Sequence, residues 1–368
     1  MPLNPERASC HPASADRALV RGLLRWLANN ARPFPWRTAP PGRRDPYVVL
    51  VSEVMLQQTQ ASRVAVLLPR FLDRFPSIEA LAAASEDEVL ALWSGLGYYR
   101  RARMLHAAAR ACLVQYEGRI PTDPEALQGL PGIGRYTGGA IASLAFGLPE
   151  PLVDGNVARV LLRLEGRPGV AGSPEVTRWS WKRAAELVQA APNSAPAFNE
   201  ALMELGATIC TPAPRAPQCD VCPLRAGCKA RQTGQSVSIP APQPSKSLRR
   251  IYATTIVLVL SGNRTVIEQR PARGLWASLW QAPTLEHERR HCTKQEAAAA
   301  LHLEAGSLHP GPAYTHRTTH REICFQVWKA RVRPGHLAAC LRTVVRADQL
   351  GDFGLSSAQR RILDSVLG

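Results

Sequence analysis

The chain has 368 residues, a formal net charge of +16 and a pI near 10.0. That length suits two domains or three, and so basic a balance favours a polyanionic partner, nucleic acid first. The apolar runs are too short to span a bilayer and the N-terminus has no apolar signal core, so a membrane or secreted protein is not expected and a cytoplasmic one is, nucleoid-associated if bacterial.

Residues 1–15 read as disordered. From Asp16, a candidate N-cap, DRALVRGLLRWLANN has the spacing of an amphipathic helix. Prolines break the next stretch, RPFPWRTAPPGRRDP, and Pro46 suits the first turn of a helix running through Glu53. Helical patterns follow over Ala61–Arg74, Ile78–Leu92, Arg100–Tyr116, Pro124–Leu127, Tyr136–Ala145, Val157–Leu164, Pro174–Gln189 and Pro196–Cys210. No strand pattern precedes residue 230, so 16–230 reads as an all-α domain. RQTGQSVSIPAPQPSKSLRR, residues 231–250, has the composition of a linker. IYATTIVLVL, RTVIEQR and ICFQVWKARV are strand-like and SAQRRILDSVL is helical, so 251–368 reads as a smaller α/β domain. The whole is an α+β, multidomain chain. Residues 231–368 carry 19 basic and 9 acidic groups, against 26 and 20 before them, so both parts are suited to a polyanion.

Four of the nine cysteines, Cys210, Cys219, Cys222 and Cys228, fall in one short stretch with C-x8-C-x2-C-x5-C spacing. Clustered thiols in an intracellular chain point to metal rather than disulfides, and four of them suit a tetrahedral zinc or a [4Fe–4S] cluster. In LQGLPGIGRYTGGAIAS, Gly132 and Gly134 permit a tight turn between helices, with backbone N–H groups pointing outward at the positive end of the second helix. Such a turn grips phosphate without reading sequence. Asp154, in PLVDGNVARVLLRL, stands where an N-cap would. Glu53, in SEVMLQQTQ, is a carboxylate inside an otherwise apolar helical run, followed by Gln57 and Gln58.

The hairpin, Asp154 and the four cysteines together resemble the helix–hairpin–helix DNA glycosylases that carry an iron–sulfur cluster. SEVMLQQTQ, LWSGLGYYRRARML, LPGIGRYTGGAI, DGNVARVL and FNEALMELGATIC are similar to the MutY-type adenine DNA glycosylases, densely over 16–230 and more thinly beyond. The resemblance implies a monomeric base-excision enzyme. Its substrate would be duplex DNA with adenine opposite 8-oxoguanine or guanine, and it would hold one [4Fe–4S] cluster per chain on Cys210, Cys219, Cys222 and Cys228. It puts Glu53 in the pocket as the acid that protonates an everted adenine. Asp154 becomes the carboxylate that stabilises the oxocarbenium-like sugar, and Asn156 lies beside the catalytic water. Arg32, Trp36 and Glu200 align with the adenine pocket. Gln57, Gln58, Thr59 and Leu96 face DNA, Pro131, Gly132 and Gly134 form the phosphate grip, and Tyr98 is the wedge beside the damaged guanine.

Related endonuclease III-type enzymes place a lysine two residues after the last hairpin glycine, where it attacks the sugar as an amine. Tyr136 stands there in this chain, which favours a monofunctional glycosylase over a glycosylase/lyase. A non-catalytic DNA-binding scaffold is the other rival, and the combination of Glu53 with Asp154 weighs against it. The C-terminal part resembles the MutT-like domain appended to MutY enzymes but lacks the Nudix glutamate pattern that holds Mg²⁺, so a lesion-reading module is expected. Where the family reads the lesion with Phe-Ser-His, this chain has Thr318, Thr319 and His320. Two further departures are an eight-residue first cysteine gap and TGG, Thr137–Gly139, in place of TAG.

Overall fold

A computed structural model describes residues 12–243, 247–333 and 342–368. Most of the segment expected to be disordered, 1–11, lies outside the described residues, as do Cys10 and Cys340. Among the described residues the helices that precede the strands are α1 (Pro12–Asn30), α2 (Pro46–Leu56), α3 (Ala61–Arg74), α4 (Ile78–Ala83), α5 (Glu86–Leu92), α6 (Arg100–Tyr116), α7 (Pro124–Gly129), α8 (Arg135–Leu144), α9 (Gly155–Leu164), α10 (Pro174–Ala190), α11 (Ala195–Thr208) and α12 (Lys229–Gln232). Among the described residues no helix is long and apolar enough to cross a membrane.

Two compact units emerge, Met1–Glu79 with Ala107–Pro244, and Ala80–His106 with Ser245–Gly368. The first unit is helical. Asp45 caps α2, accepting from Tyr47 N at 2.7 Å and Val48 N at 3.2 Å, with Pro46 in the first turn. The helix then buries Tyr47 and every residue from Val49 to Met55, so its one carboxylate goes inside with them. Against it lies α8, buried from Thr137 through Leu144. Asn199 of α11 donates to Ser143 Oγ at 2.9 Å and to Glu150 O at 2.8 Å, tying α11 to the end of α8 and the loop beyond.

The reading of α1 needs one correction. The helix starts at Pro12, so Asp16 is not its N-cap; the Asp16 carboxylate is buried and pairs with Arg183 of α10 at 2.6 Å. The expected linker also begins later than its composition suggests. Ile239, its one large buried apolar residue, packs with Leu162, Val176 and Ala230, while Ala241 bridges Val170 through bonds of 2.9 and 3.0 Å.

The second unit is built on a mixed sheet: β1 (Arg249–Leu260), β2 (Arg264–Gln269), β3 (Trp280–Gln281), β4 (Thr284–His287), β5 (His309–Pro310), β6 (Tyr314–Arg317), β7 (Arg321–Arg331) and β8 (Arg342–Arg346). The central path runs β3-β2-β1-β7-β5, with β1 and β7 parallel from Arg249↔Arg321 to Val259↔Arg331. Strand alternation divides β1 between two cores. Ile251, Ala253 and Val257 pack toward α14 (Ser357–Leu367), whereas Ile256, Leu258 and Leu260 pack toward α13 (Lys294–Ala299). A strand covered on both faces reads as a continuous apolar run, which is why IYATTIVLVL shows no clean alternation.

Residues 80–106 join this unit for visible reasons. Tyr99 donates to Leu355 O at 2.7 Å, Trp280 Nε1 to Asp87 at 3.2 Å and Arg103 to Ala277 O at 2.9 Å. The single helix expected over Ile78–Leu92 is two, because Ser85 opens α5 with a capping box: its Oγ accepts from Glu88 N at 3.2 Å and Glu88 accepts from Ser85 N at 2.9 Å.

The two glycines of TGG differ. A Cβ on Gly138 would crowd Gln128 Cγ, at 3.1 Å on an exposed side chain, and make ordinary contacts of 3.7 and 3.8 Å with Leu127 Cβ and Gln128 N, whereas one on Gly139 would lie 2.7 Å from the Pro151 carbonyl oxygen. Gly138→Ala therefore stabilises the chain by about 0.5–1 kcal/mol and Gly139→Ala destabilises it by about 1–3 kcal/mol, a difference in sign that urea unfolding midpoints will read.

Candidate active site

Glu53, Tyr136 and Asp154 reach one region of the first unit from α2, α8 and the start of α9. Glu53 is 4% exposed and its Oε2 has no hydrogen-bond partner among the described residues. Burial pushes its carboxyl up to about 7; the Tyr136 hydroxyl opposes the rise by donating to the carboxylate, and the nearby charge of Asp154 adds to it. The Tyr136 hydroxyl lies between that carboxyl and the Met203 sulfur, 3.3 Å away, and burial followed by the two carboxylates holds it well above the usual tyrosine range.

Asp154 is the N-cap of α9, accepting from Val157 N at 2.7 Å, and its second oxygen accepts from Asn156 Nδ2 at 2.8 Å. Both contacts suit a negative oxygen at the positive end of a helix. Asn156 is itself fixed, since Arg159 Nη2 donates to its Oδ1 at 2.8 Å and to Gly206 O at 2.8 Å. A Cβ on Gly206 would lie 2.7 Å from Asn156 Cβ, so only glycine lets α11 approach the start of α9 this closely. Arg159 Nε also donates to Cys210 O at 2.8 Å. One turn later Arg163, 3% exposed, donates to Ile239 O, Cys210 O and Thr211 O.

A second acidic pair lies on α11. Glu200 is held by Arg44 at 2.8 Å and Arg37 at 2.6 Å; Glu204 is held by Arg37 at 2.8 Å and Arg32 at 2.5 Å. Trp36 is buried and stacks on Phe34 at 4.4 Å, with Arg32 over the other ring at 4.9 Å. Arg32, Trp36 and Glu200 thus share one network, in which removing any partner strands a buried charge. Arg37, Arg44, Glu204, Arg159 and Arg163 were not singled out from sequence. Arg159 and Arg163 did carry a signal: two arginines one turn apart in VARVLLRL, a helix whose other residues are mostly apolar.

The hairpin has the expected form. Gly132 takes a left-handed φ of +73° that its exposed position requires, Ile133 anchors the turn in the core, and Gly134 precedes α8 with no side-chain cap on the helix's first N–H groups. Pro131 is half-buried beside it. Gln57 ends α2 and donates to Thr137 Oγ1 at 3.1 Å, whereas Gln58 is exposed at φ +55°, a strained setting for a non-glycine. Thr59 is half-buried, its N–H donating to Leu56 O at 3.2 Å.

In the second unit Leu96 is buried, whereas Tyr98 is 45% exposed at φ +48°. Its neighbour Tyr99 points inward, as two adjacent tyrosines after a Gly-Leu-Gly turn require. The Tyr98 hydroxyl makes a short hydrogen bond with Thr319 Oγ1. His320 is exposed beside Thr319 at the hairpin between β6 and β7.

Cys210, Cys219, Cys222 and Cys228 are free thiols and together line a cavity of about 30 Å³ with Arg163, Arg225, Arg231 and Ser236. Arg163 Nη1 donates to Cys210 Sγ at 3.3 Å, and Cys219 Sγ lies 3.7 Å from Ser236 Oγ. Gln218 N donates to Ile209 O at 2.9 Å, closing the long first gap into an exposed bulge that leaves the thiols together. Four thiols lining one cavity among cationic side chains fit a group with several soft-ligand positions.

Residues 51–186 match the profile of the HhH-GPD superfamily base excision DNA repair proteins, and residues 255–365 match the NUDIX domain. The first unit's fold is that of DNA glycosylases: a thermostable thymine-DNA glycosylase superposes with a TM-score of 0.52 at 30% identity, covering 60% of this chain and 98% of that one. An endonuclease III in a DNA complex gives 0.50 at 22% identity, covering 61% and 99%. Adenine DNA glycosylases match at 36% identity in Homo sapiens, over 85% of this chain and 67% of that protein, and at 42% in Mycolicibacterium smegmatis, over 63% and 74%. The chain spans 64% of the rat protein, to which it is 36% identical over 78% of its own length. The chain belongs to the adenine DNA glycosylase family of base-excision repair proteins.

The raised Glu53 carboxyl has a signed consequence. The native state holds a proton that the unfolded chain releases near pH 4.5, so the stability this proton confers is complete below 4.5 and lost as pH rises through about 7. Glu53→Gln lacks that loss, so its advantage over wild type in urea unfolding grows between about pH 5 and about pH 8.5, toward roughly 3 kcal/mol; a constant gap contradicts the raised value.

Proposed function

We propose that the chain hydrolyses the N-glycosidic bond of adenine opposite 8-oxoguanine or guanine in duplex DNA, as a monomer acting on an everted base. The observation that carries this reading is the pairing of Glu53, buried with an unpartnered oxygen and its carboxyl pushed up to about 7, with Asp154, an N-cap carboxylate braced by Asn156. A carboxylic acid that stays partly protonated near neutral pH can protonate the leaving purine, at N7 in this family. As the bond breaks, positive charge develops on the sugar, and the anionic Asp154 stabilises it or traps it briefly as an adduct. Water completes the hydrolysis, with Glu53 as base. Tyr136 lends its hydroxyl to Glu53 and offers no amine, which supports a monofunctional reaction.

The hairpin N–H groups grip the phosphate backbone, and Tyr98 with Thr319 and His320 reads the opposite guanine. Thr319 supplies the hydroxyl of the missing Phe-Ser-His motif, and its bond to Tyr98 supports that role. The four cysteines hold a [4Fe–4S] cluster. All four line one cavity together with Arg163, Arg225 and Arg231, and four thiols on one short loop suit such a cluster. When bound, such a cluster supplies a one-electron redox centre and a cross-link of the loop.

Adenine release from duplexes with adenine opposite 8-oxoguanine, compared with adenine opposite thymine, tests the reading; release from neither duplex leaves only a DNA-binding scaffold. Glu53→Gln is expected to slow release by about a thousandfold, and borohydride is expected to trap no DNA adduct, since a stable one would reveal an amine nucleophile. Wild type should bind about four irons per chain, and Cys210→Ser should lower both the iron content and the melting temperature; iron content unchanged in that variant removes Cys210 from the ligand set.

A further inference from the structure

We propose that Arg101 is the positioning residue that fixes Tyr98 as a rigid wedge for duplex DNA; the inference rests on the reading of Tyr98 given above. The turn Trp93–Tyr99 holds three residues in the left-handed region that side chains avoid: Gly95 and Gly97 have φ of +92° and +69°, and Tyr98, which has a side chain to accommodate, has φ +48°. Nothing lies within 4 Å of where a Gly97 Cβ would be, so the backbone angle rather than space demands glycine there. A strained turn persists only where its surroundings hold it. Arg101, in the first turn of α6, supplies that hold. Its Nη2 donates to Leu96 O and to Gly97 O, both at 3.2 Å, while Trp93 Nε1 donates to the same Gly97 O at 3.1 Å. The guanidinium carbon lies 5.5 Å from the ring centroids of both Trp93 and Tyr98. Trp93 is fully buried, so one side of Arg101 is anchored to the core and the other supports an exposed ring.

A planar fork suits this task and an ammonium does not: it can hydrogen-bond two successive carbonyls and lie against aromatic rings at once. Burial draws the Arg101 guanidinium down to about 10, still cationic at neutral pH. At the far end of the tyrosine, the Thr319 hydroxyl fixes the phenol. Tyr98 is thus held at its backbone, its ring and its hydroxyl before DNA arrives, so the entropy of ordering a wedge is spent in folding rather than in binding. The DNA-facing role falls to Tyr98, and Arg101 acts only through it.

The test is a double-mutant cycle on the full chain. Discrimination is measured as the ratio of dissociation constants for an undamaged duplex and for one carrying a non-hydrolysable adenine nucleotide opposite 8-oxoguanine. Arg101→Lys is expected to cut that ratio about tenfold in the wild-type background, on the scale of one base–aromatic stack, and to change it less than about twofold in the Tyr98→Ala background. Equal losses in both backgrounds overturn the proposal, because they assign Arg101 a direct DNA contact or a general effect on the fold. Global unfolding of Arg101→Lys by circular dichroism overturns it as well. If wild type discriminates and Arg101→Lys discriminates equally, the positioning role alone fails. If wild type does not discriminate at all, the reading of Tyr98 as a wedge fails, and this proposal with it.

Discussion

The first unit depends on a carboxyl group placed where it cannot easily ionise. Glu53 sits in a helix buried on nearly every side, so the core that gives α2 its stability also keeps a proton on its acid. An exposed α2 would leave Glu53 an ordinary carboxylate. An apolar residue at 53 would pack there without that penalty. The unpartnered Glu53 oxygen is the cost of keeping a carboxyl group in this core, and it is what the proposed chemistry would use.

Asp154 shows the complementary arrangement. It stands at a helix start, where Val157 N and Asn156 Nδ2 donate to its two oxygens. Its charge adds to the rise that burial imposes on Glu53, so the two carboxyl groups are coupled. Arginines then brace both groups from behind. Arg44 and Arg37 hold Glu200, whose charge reaches Glu53, and Arg159 holds Asn156, which holds Asp154. Arg159 and Arg163 also bind the carbonyl of Cys210, so the cysteine loop and the start of α9 share their donors. Arg44, Arg159 and Arg163 are thus buried framework rather than groups left for a polyanion.

Local structure was largely legible. The helices over Ala61–Arg74 and Arg100–Tyr116 fall where apolar spacing put them, and the hairpin glycines, the strands of the second unit and the cysteine grouping were written in short motifs. What escaped was long-range. Asp16 looks like an N-cap because aspartate usually is one before an apolar run, but Arg183, far along the chain, claims its carboxylate. The composition of 231–250 is that of a linker, yet the Ile239 side chain, with the Arg163 bond to its carbonyl and the Ala241 bridge to Val170, seats its first half beside Leu162 and Val176. Residues 80–106 read as part of the helical domain and gather with the sheet instead, through single bonds such as Tyr99 to Leu355 that no local pattern announces.

By itself the sequence determined which chemical groups this protein owns and the order in which it presents them: two carboxylates, a glycine hairpin, four thiols, and a tyrosine two residues after the last hairpin glycine. Residue identity and short spacing suffice for that, because backbone angles at Gly132 and the periodicity of a helix are set within a few residues. Tertiary structure decided what those groups can do. The raised carboxyl of Glu53 arises from burial and from Tyr136 and Asp154, the bracing of Asp154 is completed by the contact of Arg159 with Gly206, and the phenol of Tyr98 is met by Thr319; desolvation and Coulomb interaction depend on separation in space, which the order of residues does not specify.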